Sequence, residues 1–332
     1  MGHNHQGKLS QALALIEECA IAGVSAVKFQ KRDNQAIYTR ALLHQPYENE
    51  HSYGATYGAH REALEFNEAQ YRDCYAVAAS FGIAAFATAF DEASADFLMR
   101  LGTPAIKLAS GDLTNTPLLA YVAQLGVPLI LSTGGGTMDD IDRAVSVILK
   151  HTDQLAILHC TAAYPVHDHG ELNLRVISAL RVRYPNLVIG WSGHDTGIAM
   201  SVIAYTLGAR IIEKHVTRNR ALKGTDHAFS LEPQGLRKLV RDLDRAGRAL
   251  GTGEKVRYPS EVAPLRKMAK ALVAARPLAA GHVLTAEDLA RKSPADGLPP
   301  YLLESVIGFP LASALATDEP LTFAHIKSEA HA

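Results

Sequence analysis

The sequence predicts a parallel α/β barrel followed by a small β-rich module. Short apolar runs recur through about the first 250 residues, each after an amphipathic helical stretch that ends in glycine. These runs are apolar throughout, as is typical of strands buried on both faces of a parallel sheet. Beyond about residue 251 the pattern changes to short Val and Leu runs interrupted by Pro, Gly and Asp. That change indicates a separate β-rich module at the carboxyl terminus.

The strand and helix units follow one another in a regular order. The first helix is predicted over residues 8–22, and later amphipathic helices over 138–151 and 174–184. Strands are predicted over 24–30, 83–88, 105–110, 128–133, 155–160, 187–192 and 210–216. Strict alternation of strands and helices produces a parallel sheet, and eight such units close a TIM barrel of roughly 250 residues.

Only seven strands are counted, so the barrel is expected to lack its first strand. Nothing apolar precedes the first helix, and MGHNHQG is typical of a loop whose strand lies upstream of this chain. We expect that another segment fills the gap or that the sheet is strained. An open doubly wound sheet is the alternative, although no GxGxxG turn follows the first strand. The expected domains are residues 1–255 for the barrel and 265–330 for the module.

Composition excludes several classes of protein. The 33 Lys and Arg residues balance 34 Asp and Glu residues, with no dense basic block. A nucleic-acid or membrane partner is therefore not expected. No apolar run is long enough to cross a bilayer, and the amino terminus does not resemble a signal peptide. Cys19, Cys74 and Cys160 form no CxxC pair, so a cytoplasmic protein with reduced thiols is predicted.

Polar residues recur at the carboxyl ends of the predicted strands, where the reactive residues of a parallel barrel lie. Lys28 and Lys107 each stand among apolar neighbours, with Ser and Thr residues nearby. A single lysine in such a run usually packs its stem and extends its amine to solvent. Two at equivalent strand positions favour a site for an anionic phosphate or carboxylate. A Schiff-base lysine of an aldolase is the alternative.

Two late strands each deliver a histidine at or just past the carboxyl end. His194 follows LVIGWSG, and His215 follows RIIEK. Imidazole is a ligand for divalent transition metals, so this pair predicts a metal site. With only two strong protein ligands, the remaining positions are open to water and substrate, and such a site polarises a carbonyl group. His227 is a candidate third ligand.

Several motifs resemble those of the sialic acid (N-acetylneuraminate) synthases. They are AVKFQK, HSYGATYGAHREALEF, KLASGD, HCTAAYPV, LNLRVISAL, GWSGHDTGIAMSV and EKHVTRNRALKGTDHAFSLEP. The carboxyl-terminal module is similar to the antifreeze-like (SAF) domain of that family, so the resemblance covers nearly the whole chain. Residues 51–66 and the SGHDTG stretch are most similar to the animal-type synthase and its bacterial relatives.

The resemblance implies a fold, an activity and an assembly. The fold is a TIM barrel followed by a SAF domain, and the assembly is a domain-swapped homodimer. The activity is that of a transferase that condenses phosphoenolpyruvate with N-acetylmannosamine or its 6-phosphate. Its products are N-acetylneuraminate or its 9-phosphate, together with phosphate.

The resemblance also implies residue roles. His194 and His215 would hold Mn²⁺ or Mg²⁺. Tyr164 and Asp226 would contact the sugar, and Asp112 stands where some members carry a glutamate thought to help activate water. Either Asp112 or Asp226 would move protons. The residues implied to bind phosphoenolpyruvate are Lys28, Thr88, Lys107, Ser110, Ser132 and Ser192.

The sequence departs from the family pattern in three places. A strand with an Ala-Glu pair, which precedes the NHxG loop in the family, is absent from this chain. The stretch 292–297 (KSPADG) lacks an arginine that some bacterial members place against the sugar, and Ala162 replaces an asparagine. A legionaminic or pseudaminic acid synthase and a truncated non-catalytic relic are therefore alternatives. The sequence leaves open whether the sugar is phosphorylated and which metal is used.

Overall fold

The computed structural model describes residues 1–327 and divides the chain into two compact units. The first unit, Met1–Gly251, contains a seven-stranded parallel sheet. The second begins at Thr252 and contains a two-stranded antiparallel sheet. The last residues of the predicted module, 328–330, lie outside the described residues. Among residues 1–327, no helix is long and apolar enough to cross a membrane.

The strands of the first unit are hydrogen-bonded to one another in the order in which they occur along the chain. They are β1 (Ala26–Lys31), β2 (Ala84–Ala89), β3 (Ile106–Leu108), β4 (Leu129–Ser132), β5 (Leu155–Cys160), β6 (Val188–Gly193) and β7 (Ile212–Lys214). Every predicted strand is present, and each observed end lies within two residues of its predicted bound. All neighbouring pairs are parallel. This is the sheet of a TIM-like barrel, which confirms the predicted fold class.

Helices occupy the connections between these strands and cover the sheet. They are α1 (Leu9–Ala22), α2 (Asn34–Ile37), α3 (Arg40–His44), α4 (Tyr57–Glu62), α5 (Glu68–Ser80), α6 (Glu92–Arg100), α7 (Thr116–Ala123), α8 (Met138–Ile148), α9 (Arg175–Arg183), α10 (Ala199–Thr206) and α11 (Pro233–Leu250). Local sequence fixes several of their ends. Thr137 and Asp140 form a capping box at the start of α8, and Gly23, with φ of 85°, ends α1 in the left-handed conformation.

The connection between β1 and α5 is much longer than the others. We call residues 32–67 the β1–α5 excursion, and it carries the short helices α2, α3 and α4. It follows the carboxyl end of β1. In a barrel, the loops at this end of the strands form the active site.

The outer edges of β1 and β7 are bridged by the amino-terminal segment rather than by another strand. The Met1 amine donates a hydrogen bond to the Lys28 carbonyl oxygen at 2.9 Å. Asn4 Nδ2 donates to the carbonyl oxygen of Val216, just beyond β7, at 2.7 Å. A cavity of about 540 Å³ remains between the two edges, lined by residues of both strands. Within residues 1–327, therefore, seven strands and the amino-terminal loop form the wall that eight strands form in a closed barrel.

The second unit has its own hydrophobic core. It contains α12 (Pro259–Met268), β8 (Ala271–Ala274), β9 (Leu289–Lys292) and α13 (Leu303–Val306). Strands β8 and β9 are antiparallel. The buried leucines of this core include Leu272, Leu278, Leu284, Leu311 and Leu321. The unit therefore has an apolar centre of its own.

Candidate active site

A cavity of about 530 Å³ opens at the carboxyl ends of the strands of the first unit. Ten of the eleven residues predicted for the site line this cavity. They are Lys28, Thr88, Lys107, Ser110, Ser132, Tyr164, Ser192, His194, His215 and Asp226. The parallel sheet explains this convergence, because side chains at the carboxyl ends of neighbouring strands meet at one edge.

Two lysines and their hydroxyl partners form one wall of the cavity. Lys28 Nζ donates to Thr88 Oγ1 at 3.1 Å, and Lys107 Nζ donates to Ser132 Oγ at 2.5 Å. Lys107 is 2% exposed, and its burial lowers the pKa of the ammonium group to about 8. Lys107 is therefore protonated at neutral pH, and a wall with two lysines and their hydroxyl partners suits a phosphate or carboxylate group.

Glu213 of β7 lies beside these cations, although sequence reasoning did not single it out. Its Oε1 is 3.8 Å from Lys28 Nζ and accepts a hydrogen bond from Ser192 Oγ at 3.1 Å. Burial alone would raise the pKa of Glu213, but Lys107 and Lys28 hold it at about 2. Strand alternation could have identified this residue, because Glu213 and His215 are two positions apart and share a face.

The next residue of β7, Lys214, points the other way and supports the loop that carries His194. Its Nζ lies 2.8 Å from Asp195 Oδ1 and 2.6 Å from the Asp195 carbonyl oxygen. The side chains of Lys214 and Asp195 are 3% and 1% exposed. This buried ion pair fixes the backbone directly after His194.

The two predicted metal ligands are neighbours in the cavity. The ring centroids of His194 and His215 are 5.4 Å apart, and Phe229 packs against both rings. His194 Nδ1 lies 3.2 Å from the Thr161 carbonyl oxygen, so Nδ1 carries the hydrogen and Nε2 presents a lone pair. Burial lowers the pKa of both rings, that of His215 to about 3. Both imidazoles are therefore neutral, as a metal ligand must be.

The donor set fits an open metal site. His215 Nδ1 is buried and has no hydrogen-bond partner among residues 1–327, and Asp226 Oδ2 lies 3.6 Å away. An unpartnered buried nitrogen next to a carboxylate is the arrangement that a divalent cation would satisfy. In the part of the chain that the structure describes, no three His, Cys, Asp or Glu side chains are grouped to hold a metal. A metal here would thus keep positions for water and substrate.

His227 does not join this pair. It is fully buried outside the cavity wall, and its Nδ1 lies 2.7 Å from Thr217 Oγ1. The structure therefore does not support His227 as a third ligand. Its hydrogen bond instead holds the segment that follows β7.

Asp112 is the predicted site residue that does not line the cavity. It ends a short 3₁₀ turn, Ser110–Asp112, and accepts a hydrogen bond from Asn115 Nδ2 at 3.1 Å. Burial raises the pKa of Asp112 above its usual value. Of the two predicted proton carriers, only Asp226 lines the cavity in this conformation.

Further cavity residues come from the amino-terminal segment and from the β1–α5 excursion. His3, Arg32 and Arg61 line the cavity, and the sequence patterns did not indicate them. Arg32 Nη1 lies 2.6 Å from His3 Nε2, and Arg61 Nη1 lies 3.4 Å from His3 Nδ1. Burial and the two arginines keep the pKa of His3 well below its usual value, so this ring is neutral.

Two lysines, several hydroxyls and two neutral imidazoles at the carboxyl ends of parallel strands define a barrel enzyme that acts on an anionic substrate. The chain belongs to the NeuB family, whose model matches residues 15–255. A SAF domain model matches residues 269–327. The resemblance to the sialic acid synthases drawn from the motifs is therefore confirmed.

Proteins from animals and bacteria resemble the chain over most of its length. It is 37% identical over 322 residues to N-acetylneuraminate-9-phosphate synthase of Homo sapiens, covering 97% of this chain and 89% of that protein. It is 32% identical over 334 residues to N,N'-diacetyllegionaminic acid synthase of Legionella pneumophila, covering 98% and 93%. A crystal structure of N-acetylneuraminic acid synthetase from Leptospira borgpetersenii in complex with citrate has a TM-score of 0.69 and 33% identity, covering 79% and 87%.

Proposed function

We propose that the protein condenses phosphoenolpyruvate with N-acetylmannosamine or its 6-phosphate. The products are N-acetylneuraminate or its 9-phosphate, and inorganic phosphate. One observation carries the proposal: a cationic, hydroxyl-rich wall and a pair of neutral imidazoles occur in the same cavity. The reaction needs both features, because one substrate is a phosphorylated carboxylic acid and the other is an aldehyde.

Phosphoenolpyruvate would bind at the lysine wall. Lys28 and Lys107 would balance its phosphate and carboxylate charges. The hydroxyl groups that would donate hydrogen bonds to it are those of Thr88, Ser110, Ser132 and Ser192. The Gly134 amide donates to Ser110 Oγ at 2.9 Å and so orients that hydroxyl. Glu213 opposes the lowering of the Lys107 pKa by burial and so would help to keep that ammonium group charged.

The sugar would bind at the opposite wall, with its aldehyde near the imidazoles. His194 and His215 would hold Mn²⁺ or Mg²⁺, which when bound supplies Lewis-acid polarisation of the aldehyde carbonyl. Tyr164 packs its ring 4.2 Å from that of His194, and burial raises the pKa of its phenol to about 12. Its neutral hydroxyl can therefore donate to a sugar oxygen.

The bond changes balance with these groups. Carbon 3 of phosphoenolpyruvate attacks the aldehyde carbon, and water adds to carbon 2. The bond between carbon 2 and the phosphate oxygen then breaks, which releases phosphate and leaves a 2-keto acid. The water gives up two protons: one as it adds to carbon 2, matched by the proton that the aldehyde oxygen gains, and one as the carbonyl forms, which leaves with the phosphate as hydrogen phosphate. Burial would raise the pKa of Asp226, but the hydrogen bonds that it accepts from the His3 amide and the Thr225 hydroxyl hold it below its usual range. This carboxylate is therefore available to accept the first of these protons.

The test measures phosphate release from phosphoenolpyruvate in the presence of Mn²⁺. We expect release only when an N-acylhexosamine is added, and we expect EDTA to abolish it. His194→Gln should lower kcat/KM by at least ~100-fold, because carbonyl polarisation by a metal contributes several kcal/mol. The exposed His151→Gln variant is the matched control and should keep full activity.

Two results would contradict the proposal. One is unchanged turnover in EDTA. The other is covalent labelling of Lys28 or Lys107 by a keto acid and borohydride, which would indicate Schiff-base aldolase chemistry instead.

A related nonulosonic acid is the second candidate product. The 32% identity to a diacetyllegionaminic acid synthase favours it, although less strongly than the 37% identity to an N-acetylneuraminate-9-phosphate synthase favours the first. A panel of N-acetylmannosamine, its 6-phosphate and diacetamido sugars separates the two. The second candidate requires that a diacetamido sugar gives the highest kcat/KM.

We also propose that the protein forms a domain-swapped homodimer through its SAF domain. Large apolar side chains on the second unit support this, since Tyr301 and Phe323 are 82% and 68% exposed. Light scattering coupled to gel filtration should give twice the chain mass of 35.7 kDa. A monomer at micromolar concentration would rule out a stable dimer.

A further inference from the structure

We propose that Arg61 binds a phosphate group on the acceptor sugar, so that the preferred substrate is a phosphorylated N-acylhexosamine. The inference rests on the proposed function for the presence of the sugar. It adds which form of the sugar the cavity selects, and which residue selects it.

The cations of the cavity wall differ in whether a counter-ion lies beside them. Lys28 and Lys107 lie among the hydroxyls that would bind phosphoenolpyruvate. Arg32 is paired with Glu65, whose Oε1 lies 3.4 Å from its Nη1. Arg61 has no such partner, because no carboxylate oxygen of residues 1–327 lies within salt-bridge distance of it. One cation in the wall is therefore left without a counter-ion after phosphoenolpyruvate is accommodated.

Two tyrosines hold Arg61 in place. Its Nε donates to Tyr57 Oη and its Nη2 donates to Tyr38 Oη, both at 3.0 Å. The two tyrosine rings contact each other edge to face, with centroids 5.2 Å apart, and the guanidinium lies within 6 Å of both. The two phenol hydroxyls orient the Arg61 guanidinium without supplying a negative charge that would neutralise it. Each terminal nitrogen of the guanidinium keeps a second hydrogen for a further acceptor, and a phosphate group matches that two-pronged geometry.

A series of contacts connects Arg61 to the proposed aldehyde site. His215 Nδ1 is 3.6 Å from Asp226 Oδ2, and the His3 amide donates to that same oxygen at 3.3 Å. The His3 ring then reaches Arg61 Nη1 at 3.4 Å. His215, Asp226, His3 and Arg61 thus form a chain of neighbours along the cavity. An aldehyde at the His215 end would direct the far end of the sugar, where a 6-phosphate is attached, toward Arg61.

The β1–α5 excursion gives this arrangement a structural basis. Tyr38, Tyr57 and Arg61 all belong to it. Loops at the carboxyl ends of barrel strands adapt a common site to different substrates. The excursion is therefore the element that would adjust the sugar end of the cavity.

The first experiment measures binding by calorimetry, with N-acetylmannosamine and N-acetylmannosamine 6-phosphate as probes and Mn²⁺ present. The wild type should bind the phosphorylated sugar at least ~10-fold more tightly. Arg61→Gln should weaken binding of the phosphorylated sugar by roughly 10- to 100-fold, because charged hydrogen bonds to phosphate are lost. Binding of the unphosphorylated sugar should change by less than about 3-fold.

Arg40→Gln is the matched control. Arg40 lies in the same excursion and carries the same charge, but it is exposed and does not line the cavity. It should leave both affinities unchanged. Arg61→Lys keeps the positive charge but loses the two-pronged guanidinium, so it should give an intermediate affinity for the phosphorylated sugar. Because Arg61→Lys preserves the contact with the tyrosine rings, it also guards against misfolding of Arg61→Gln.

Two outcomes would overturn the inference: equal wild-type affinities for the two sugars, or an equal loss for both in Arg61→Gln. Turnover with phosphoenolpyruvate separates this inference from the proposed function. If the phosphorylated sugar binds through Arg61 but no phosphate is released, the proposed reaction fails and the phosphate site stands. If both sugars are turned over with equal kcat/KM, the reaction stands and the phosphate site fails.

Discussion

Individual residues in the cavity have ionisation states set by burial and by a few named neighbours. Burial lowers the pKa of Lys107 to about 8 and keeps the histidine pair neutral, whereas Glu213 stays ionised because two lysines face it. These states could not be predicted from the sequence, because they depend on which groups the fold brings within a few ångströms. The residue types at the strand ends, by contrast, could be identified from position alone.

Lys107 gives the protein an expected pH dependence. Its ammonium group is charged below a pH of about 8 and neutral above it, so anion binding at the lysine wall should weaken as the pH rises through that value. We expect kcat/KM for phosphoenolpyruvate to fall up to tenfold per pH unit above about 8. The KM for the sugar should stay flat over this range, since the sugar would bind at the other wall.

The profile of a Lys107→Arg variant tests the assignment. An arginine stays protonated, so the alkaline limb should move to higher pH even if the overall rate is lower. An alkaline limb that is unchanged in this variant would show that another group titrates.

At the scale of elements, strand alternation explains how β7 serves two purposes. Glu213 faces the cavity, and so does His215 directly after the strand, while Lys214 turns away and holds the loop after β6 through Asp195. The amino-terminal segment has a comparable role, because its hydrogen bonds reach both β1 and the residues after β7. Neither relationship is visible in sequence spacing, since each joins residues that are distant along the chain.

Gly2 is the position where this segment approaches the site most closely. Its φ is +53°, and a Cβ atom there would lie 2.5 Å from Asp226 Oδ2 and 2.9 Å from the His215 ring. Gly2→Ala should therefore displace both side chains and lower kcat/KM by at least ~10-fold, since small misplacements in an active site are costly. The loss is measured with both substrates at saturating Mn²⁺.

Gly82→Ala separates this clash from backbone strain. Gly82 also has a positive φ, +73°, but a Cβ atom there would meet nothing within 4 Å. Both variants should lose about 1–2 kcal/mol of unfolding free energy from the left-handed conformation. Only Gly2→Ala should lose activity, and an equal activity loss in Gly82→Ala would mean that strain alone is responsible.

At the scale of the whole molecule, the chain forms two units with separate cores. The second unit depends on a buried carboxylate as well as on its leucines. Asp288 is 1% exposed and accepts hydrogen bonds from Thr285, Arg276 and His282. Burial would raise the pKa of Asp288, but these partners hold it below its usual range. We propose that each unit is stabilised by its own contacts.

Asp288→Ala tests this independence. The variant leaves several donors unpaired and should destabilise the second unit by about 2–3 kcal/mol. In native-state hydrogen exchange, amides of β8 and β9 should lose protection by roughly 30- to 150-fold, which is that free energy expressed as an equilibrium ratio. Amides of β1 to β6 should keep their protection, and an equal loss there would show that the two units unfold as one.

The sequence by itself determined the strand positions and the fold class, and its motifs carried the resemblance that identified the family and implied ten of the residues around the cavity. The strands could be located because apolar runs, glycine caps and residues at strand ends are local features, and a barrel places all strand ends at one edge. Only the tertiary structure decided that Asp112 and His227 lie outside the cavity wall and that Glu213, His3 and Arg61 lie in it. Those assignments depend on long-range contacts, in which residues 3, 61, 215 and 226 meet through folding alone.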